Sequence, residues 1–162
     1  MTQSHSFYLT SPQWEKIEEV CQNVKSALES HEKHVVEAIV MVATELLENT
    51  IKYGDHSSGG SVAELRLEVN GKQVCVQVSS QVRADEDLSR LQKIIDRLHR
   101  ASDPINLYME RLQQILDDPE DKMSSLGLYR MAYEGGCIMS MEKNGREIRL
   151  TACRPFEQHT KG

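Results

Sequence analysis

Apolar residues recur every three to four positions in two stretches near the N-terminus, a pattern that predicts two amphipathic helices. The first helix is predicted over residues 12–30, with Ser11 as the N-cap, Pro12 at the first helical position and Trp14 on the inward side. The second is predicted over residues 32–53. Its inward side comprises Val35, Val36, Ile39, Val42, Ala43, Leu46 and Leu47. Ahead of both helices, residues 6–10 are predicted to form a short edge strand.

Further along the chain the spacing changes to alternation, which predicts two β-hairpins. Apolar residues of the segment 62–69 are followed by Asn70-Gly71 and then by alternating valines at 74, 76 and 78. Asn-Gly between two alternating segments is a strong hairpin signal. The same signal, Asn144-Gly145, separates a strand predicted at 138–141 from one at 147–152.

Helical spacing returns between the hairpins, at residues 85–100 and again from Pro104 to about residue 116. The acidic run 117–121 is predicted to be a linker, because acidic residues at a helix C-terminus oppose the helix dipole. A short helix then extends to about Glu134, where Gly135-Gly136 suits a left-handed cap. Residues 54–60 are predicted to be a flexible loop.

These elements predict an α+β fold, specifically a two-layer α/β sandwich with the helices on one face of a mixed, mainly antiparallel sheet. The 162 residues are expected to form a single domain, 1–162, with a helical insert at about 85–118.

The composition narrows the classes of function. The chain has 19 basic and 25 acidic residues, a net charge of −6, which argues against a nucleic-acid partner. It has no run of 18 apolar residues and residues 1–10 do not resemble a secretory signal, so we expect a cytoplasmic protein without a membrane partner. The four widely spaced cysteines are expected to be reduced and half-buried.

The end of the second predicted helix carries three polar side chains on one stripe. Glu45, Asn49 and Lys52 are four and seven residues apart, so they lie on the same side of a helix with 3.6 residues per turn. A carboxylate, a carboxamide and an ammonium group can together accept a proton, ligate a hard cation and pair with an anion. The alternative interpretation is the ordinary solvated face of an amphipathic helix.

The pattern Glu45-x-x-x-Asn49 followed by Lys52-Tyr53 resembles the N box of the histidine-kinase-like ATPase superfamily, which has a Bergerat-type fold. The resemblance implies ATP and Mg²⁺ as cofactors. It assigns Asn49 as the magnesium ligand and Glu45 as the general base. Lys52, Arg83, Lys122 and Arg130 are additional candidates for contacts to phosphate.

Two later boxes of that superfamily match less completely. Where the family has an adenine-binding Asp, this chain has Ser80, and Val82 and Ala84 stand where glycines would be. Val82 cannot easily adopt a positive φ, so we expect a turn of different shape. The last box, which supplies backbone N–H groups to phosphates, corresponds to Ser125-Leu126-Gly127-Leu128, with Gly127 and Leu128 as the binding positions.

The two-helix insert resembles that of the SiaB-like protein kinases, which, like the anti-sigma-factor kinases, act on Ser or Thr of a small regulator. The resemblance therefore implies a signalling kinase with an anti-anti-sigma or SiaC-like regulator as partner. The alternative is a non-enzymatic pseudokinase with a vestigial nucleotide pocket. A homodimer through the N-terminal segment or the inserted helices is a further hypothesis.

Overall fold

The computed structural model describes residues 2–56, 62–82, 84–100, 103–117 and 126–156, without the side chains of Asp87, Pro104 and Leu126. Five strands and five helices occur in these ranges. In chain order they are β1 (Gln3–Leu9), α1 (Trp14–Ala27), α2 (Lys33–Tyr53), β2 (Ala63–Val69), β3 (Gln73–Gln81), α3 (Asp85–Arg100), α4 (Pro104–Asp117), α5 (Leu126–Tyr133), β4 (Ile138–Asn144) and β5 (Glu147–Pro155).

The five strands form one sheet in the order β1-β2-β3-β5-β4. Every pairing among them is antiparallel, so the expected mixed character is not present in the described strands. One face is apolar and buried against the helices, because alternate residues of β2 and β3 point into a single hydrophobic cluster. This confirms the α+β class and the two-layer arrangement.

Helices α1 and α2 lie close to their predicted positions, but the start of α1 differs. The helix begins at Trp14, Gln13 is the N-cap without a side-chain hydrogen bond, and Ser11 and Pro12 lie outside it. Leu9 is held in the core at the end of β1, so residues 10–13 are used to cross from the sheet layer to the helix layer. The predicted inward position of Trp14 is also wrong, since its side chain is 52% exposed.

Both predicted hairpins are present, and each strand of the second is longer than predicted. In the first turn the Asn70 side-chain oxygen accepts hydrogen bonds from the backbone N–H groups of Lys72 and Gln73. In the second, the two-residue loop is shifted by one position to Gly145-Arg146, and Gly145 has a φ of 64°. A glycine at the first central position of such a loop fits the right-handed twist of the strands.

Part of the predicted loop at 54–60 is held in place. Gly54 forms an antiparallel bridge with Val82, and the N–H of Asp55 donates to the carbonyl of Gln81. Residues 57–60 lie outside the described part of the chain, as does most of the predicted acidic linker.

The inserted helices α3 and α4 match the prediction closely. The buried side of α3 packs against β4 and α5, whereas α4 packs on α5, with Tyr108 against Tyr133. An ion pair of 2.7 Å between Arg97 and Glu110 joins the two inserted helices. At the end of α5, Gly136 has a φ of 62° and is the left-handed residue of the helix cap, as the sequence predicted.

The expectation that all four cysteines are reduced is wrong for one pair. Cys75 and Cys153 form a disulfide between the neighbouring strands β3 and β5. They lie directly opposite each other in the register and on the face of the sheet that points away from the core. Cys21 and Cys137 are free and buried, and burial raises the pKa of the Cys137 thiol to about 12.

None of the helices in the described ranges is both long and apolar enough to cross a membrane.

We expect removal of the disulfide by Cys75→Ala to lower the free energy of unfolding by about 2–4 kcal/mol, because the bond closes a loop with a sequence separation of 78 residues. Chemical denaturation of the variant and the wild type measures the difference. Under denaturing conditions without reductant, two thiols per chain should react with a thiol reagent, namely those of Cys21 and Cys137. Four reactive thiols in unreduced protein would contradict the pairing.

Candidate functional site

The polar stripe of α2 lies at the border of the core rather than in open solvent. Leu46, Leu47 and Thr50 on the same helix are buried, and this orients the adjacent side chains of Glu45 and Asn49 along the edge of the buried face. The Glu45 side chain is only 18% exposed. Lys52, the third member of the stripe, is exposed.

Glu45 contacts the beginning of α5, which the chain reaches only 80 residues later. A Cβ atom placed on Gly127 would collide with the Glu45 carboxylate, so this carboxylate lies directly against the glycine. The Glu45 side chain therefore contacts the first turn of α5. The structure thus brings together the two sequence-predicted positions, Glu45 and Gly127.

Arg130, one turn further along α5, also faces this carboxylate. Its guanidinium donates to Glu45 across 3.4 Å and to Glu134 across 2.6 Å. Of the four cationic residues considered as phosphate contacts, Lys52 belongs to the polar stripe and Arg130 lies beside it. Arg83 and Lys122 lie outside the described residues.

The position of Glu45 changes the pKa of its carboxyl group. Burial raises the pKa of its carboxyl above the ordinary value, and the neighbouring Glu48 carboxylate raises it further. The cationic groups of Arg130 and Lys52 lower the pKa, but the net direction is upward. A raised pKa moves the titration of this carboxyl toward neutral pH, which is the direction that suits a general base or acid.

Asn49 faces a small cavity between α2 and the sheet. Its side-chain Nδ2 atom is buried and has no hydrogen-bond partner. A buried amide without a partner costs about 1–3 kcal/mol, so this is an unfavourable position for a purely structural side chain. The described lining comprises Leu46, Asn49, Thr50, Tyr53, Gly54, Val78, Ser80, Val82, Leu91, Ile148 and Leu150.

The cavity has a volume of about 10 Å³, which is room for about one water molecule. A site for a small ligand or cofactor normally measures about 300–1,000 Å³, so the cavity that the described residues line is too small for a nucleotide. Leu91 on the inserted helix α3 and Val82, directly after β3, contribute apolar side chains to the cavity lining. The donor groups therefore suit a nucleotide, but the available volume does not.

Ser80 also lines this cavity, on the same wall of β3 as Val78. No described non-glycine residue has a positive φ, so Val82 and Ala84 do not form the glycine-type turn of the superfamily, in agreement with the sequence. Leu128 is buried, and only its backbone could contact a ligand. Ser125 lies outside the described ranges.

The sequence identified Glu45, Asn49, Ser80 and Gly127 but gave no indication that Leu91 closes the cavity. Leu91 has the helical spacing of an ordinary core residue, and only the packing of α3 shows that it lines the same cavity as Asn49. Within the described part of the chain, no group of three or more His, Cys, Asp or Glu side chains could hold a metal ion. A magnesium ion at Asn49 would take its other ligands from phosphate and water.

No protein-family model matches this chain, and no curated protein is significantly similar to it in sequence.

Replacing Glu45 by Gln should raise the stability of the folded protein at neutral pH. At that pH the wild-type carboxylate is charged, and its raised pKa shows that the fold disfavours this charge. As the pH falls through the pKa of Glu45, the wild type regains this stability, and below the ordinary pKa of 4.5 the two proteins should be equally stable. Thermal unfolding across this pH range measures the effect.

The matched control is Glu37→Gln on the same helix, since Glu37 is largely exposed and its pairing with Lys33 contributes little. The interpretation is contradicted if Glu45→Gln and Glu37→Gln follow the same pH profile.

Proposed function

We propose that this chain is a signalling kinase of the histidine-kinase-like ATPase superfamily, with a Bergerat-type fold, that transfers phosphate from ATP to Ser or Thr of a small regulator protein. The observation that supports this best is the contact between Glu45 and Gly127. The resemblance assigns these two residues to separate boxes of one site, and the fold brings them together although they are far apart in the sequence.

Each site residue has a distinct task in this proposal. Asn49 would hold the magnesium ion through its amide oxygen, and a bound ion with its phosphates would give the orphaned amide the partners that it lacks. The backbone N–H groups at Gly127 and Leu128, at the start of α5, would bind phosphate oxygens. Bound ATP supplies the phosphoryl group for transfer.

Glu45 would accept the proton of the attacking hydroxyl group. Its carboxylate contacts the start of α5, adjacent to the proposed phosphate position, and burial raises its pKa, the direction that favours a general base. Arg130 holds this carboxylate in place through their hydrogen bond and could also face a phosphate. Lys52, exposed at the end of the stripe, would contribute a long-range positive charge.

Nucleotide binding also requires the cavity to open. Leu91 would have to leave the cavity, which means a shift of α3 away from Asn49 and Ser80. The insert is joined to the sheet layer mainly through apolar packing on β4 and α5, with one hydrogen bond from His99 to the carbonyl of Met139. Such a helix can move as a unit without breaking the ladder of the sheet.

The second candidate function is a pseudokinase that regulates by binding a partner without using ATP. The closed cavity and the missing glycines after β3 favour it. The Asn49 amide, whose buried Nδ2 atom has no hydrogen-bond partner, favours the kinase. An unpaired buried amide lowers the stability of the fold unless a polar ligand pairs with it.

Titration calorimetry with Mg-ATP is the decisive experiment. We expect the wild type to bind, and Asn49→Ala to bind about tenfold or more weakly, because a ligand of the metal is lost. Asn23→Ala, which removes an exposed asparagine from α1, is the matched control and should bind as the wild type does. Absence of heat with the wild type at nucleotide concentrations up to about 1 mM would exclude the kinase.

A second experiment tests the closed cavity. Leu91→Ala should increase the affinity for Mg-ATP, because it removes the side chain that fills the site, although the variant should lose about 2–4 kcal/mol of stability. Leu98→Ala is the matched control, since Leu91 and Leu98 lie on the same helix and both are 6% exposed, but Leu98 does not line the cavity. Equal nucleotide affinities of the two variants would refute this role of Leu91.

A further inference from the structure

The two edge strands of the sheet, β4 and β1, differ in how well they are protected from pairing with another chain. At one edge, β4 is covered by α3, and the His99 side chain donates to the backbone carbonyl of Met139 on its outer side. The strand also carries Glu142 and Lys143, and charges of this kind discourage pairing with another chain. The edge at β4 is therefore protected.

The opposite edge strand, β1, also packs against a helix, α1, but it lacks the charged side chains that β4 carries. Its seven residues, Gln3–Leu9, contain no Lys, Arg, Asp, Glu or Pro, and they pair one to one with β2 without a bulge. A regular, uncharged edge strand presents unpaired backbone groups that readily accept another strand. These features make β1 the open edge of this sheet.

The register identifies which backbone groups point outward. The hydrogen bond from Asn70 N–H to the Gln73 carbonyl shows that even-numbered residues of β2 face β3, so its odd-numbered residues face β1. Each odd residue of β2 pairs with an odd residue of β1. The N–H and C=O groups of Ser4, Ser6 and Tyr8 therefore point to the open edge.

A groove of about 310 Å³ runs along this edge, between β1 and α1. Ser6, Phe7 and Tyr8 line it on the side of the strand, while Lys16 and Asn23 line it on the side of the helix. A strand that pairs with the outward groups of β1 would enter this groove.

We propose that the occupant is the β1 strand of a second copy of this chain, paired antiparallel about a twofold axis at Ser6. In this register Ser6 lies opposite the partner's Ser6 and Tyr8 lies opposite the partner's Ser4. Three residue pairs with two bonds each give about six backbone hydrogen bonds. The two sheets then continue into one another.

The side chains of β1 are self-complementary in that register. His5 and Phe7 already stack on the inner face, with ring centroids 6.3 Å apart. The twofold axis places His5 opposite the partner's Phe7. The His5 and Phe7 rings of both copies, four rings in all, then lie next to one another. Because the chain carries a charge of −6, two copies repel overall, and an uncharged strand is where this repulsion is weakest.

One aromatic residue of the edge strand is strongly exposed, since Tyr8 is 54% exposed on the outer face of β1. Tyr and Trp are the residue types that most often contribute binding energy at protein interfaces. This dimer does not depend on nucleotide binding, so it stands or fails independently of the proposed function.

Sedimentation velocity of the full chain over a range of concentrations tests the dimer. We expect the wild type to dimerise and Ser6→Pro to weaken the dimer about thirtyfold, because it removes one outward N–H from each copy and leaves the pairing with β2 intact. Ser6→Lys, which places two like charges opposite each other, should also favour the monomer. Ser6→Thr is the matched control and should remain dimeric.

Cross-linking tests the register. With a short bis-maleimide reagent, Ser6→Cys should form a covalent dimer, whereas Ser4→Cys should not, since the two copies of residue 4 lie about 13 Å apart along the strands. A monomeric wild type, or a dimer that Ser6→Pro and Ser6→Lys leave unchanged, would overturn the proposal. Efficient cross-linking of Ser4→Cys would overturn this register.

Discussion

The burial of one side of α2 against the sheet is the constraint on which the rest of the structure depends. The buried residues of this helix, from Val35 to Thr50, determine its rotation about its own axis. Once that rotation is determined, Glu45 and Asn49 must lie along the border of the core, because they are four residues apart on the adjacent stripe. The position of the candidate site is thus a consequence of hydrophobic packing.

At this border α5 places Gly127 against the Glu45 carboxylate. A side chain at position 127 would force this carboxylate, which accepts a hydrogen bond from Arg130, to shift. The same short helix carries buried Leu128 and Met131 into the core, so its position is determined by packing on one side and by a carboxylate on the other. This combination explains why a half-buried acidic residue is tolerated between two helices.

The cavity at Asn49 contains an energetically unfavourable side chain. Apolar side chains from β3, β5 and α3 surround an amide that has no partner for its Nδ2 atom. Packing alone would favour an apolar residue at position 49, since an unpaired buried amide is costly. Sites that bind ligands commonly keep such unfavourable groups, because the ligand compensates for them. The inserted helix that closes the cavity is also the element that protects the β4 edge of the sheet.

Local sequence determined the elements: the helical spacing of α2 and α3 and the alternation of β2 and β3 are properties of neighbouring residues, so their bounds were predicted closely. The stripe Glu45-Asn49 was predictable for the same reason. The β1–β2 and β3–β5 pairings that set the strand order, the Cys75–Cys153 disulfide and the contact of Glu45 with Gly127 depend on residues more than 50 positions apart. No local pattern encodes such pairs, and the exposure of Trp14 and the closure of the cavity by Leu91 were likewise decided by how the layers pack.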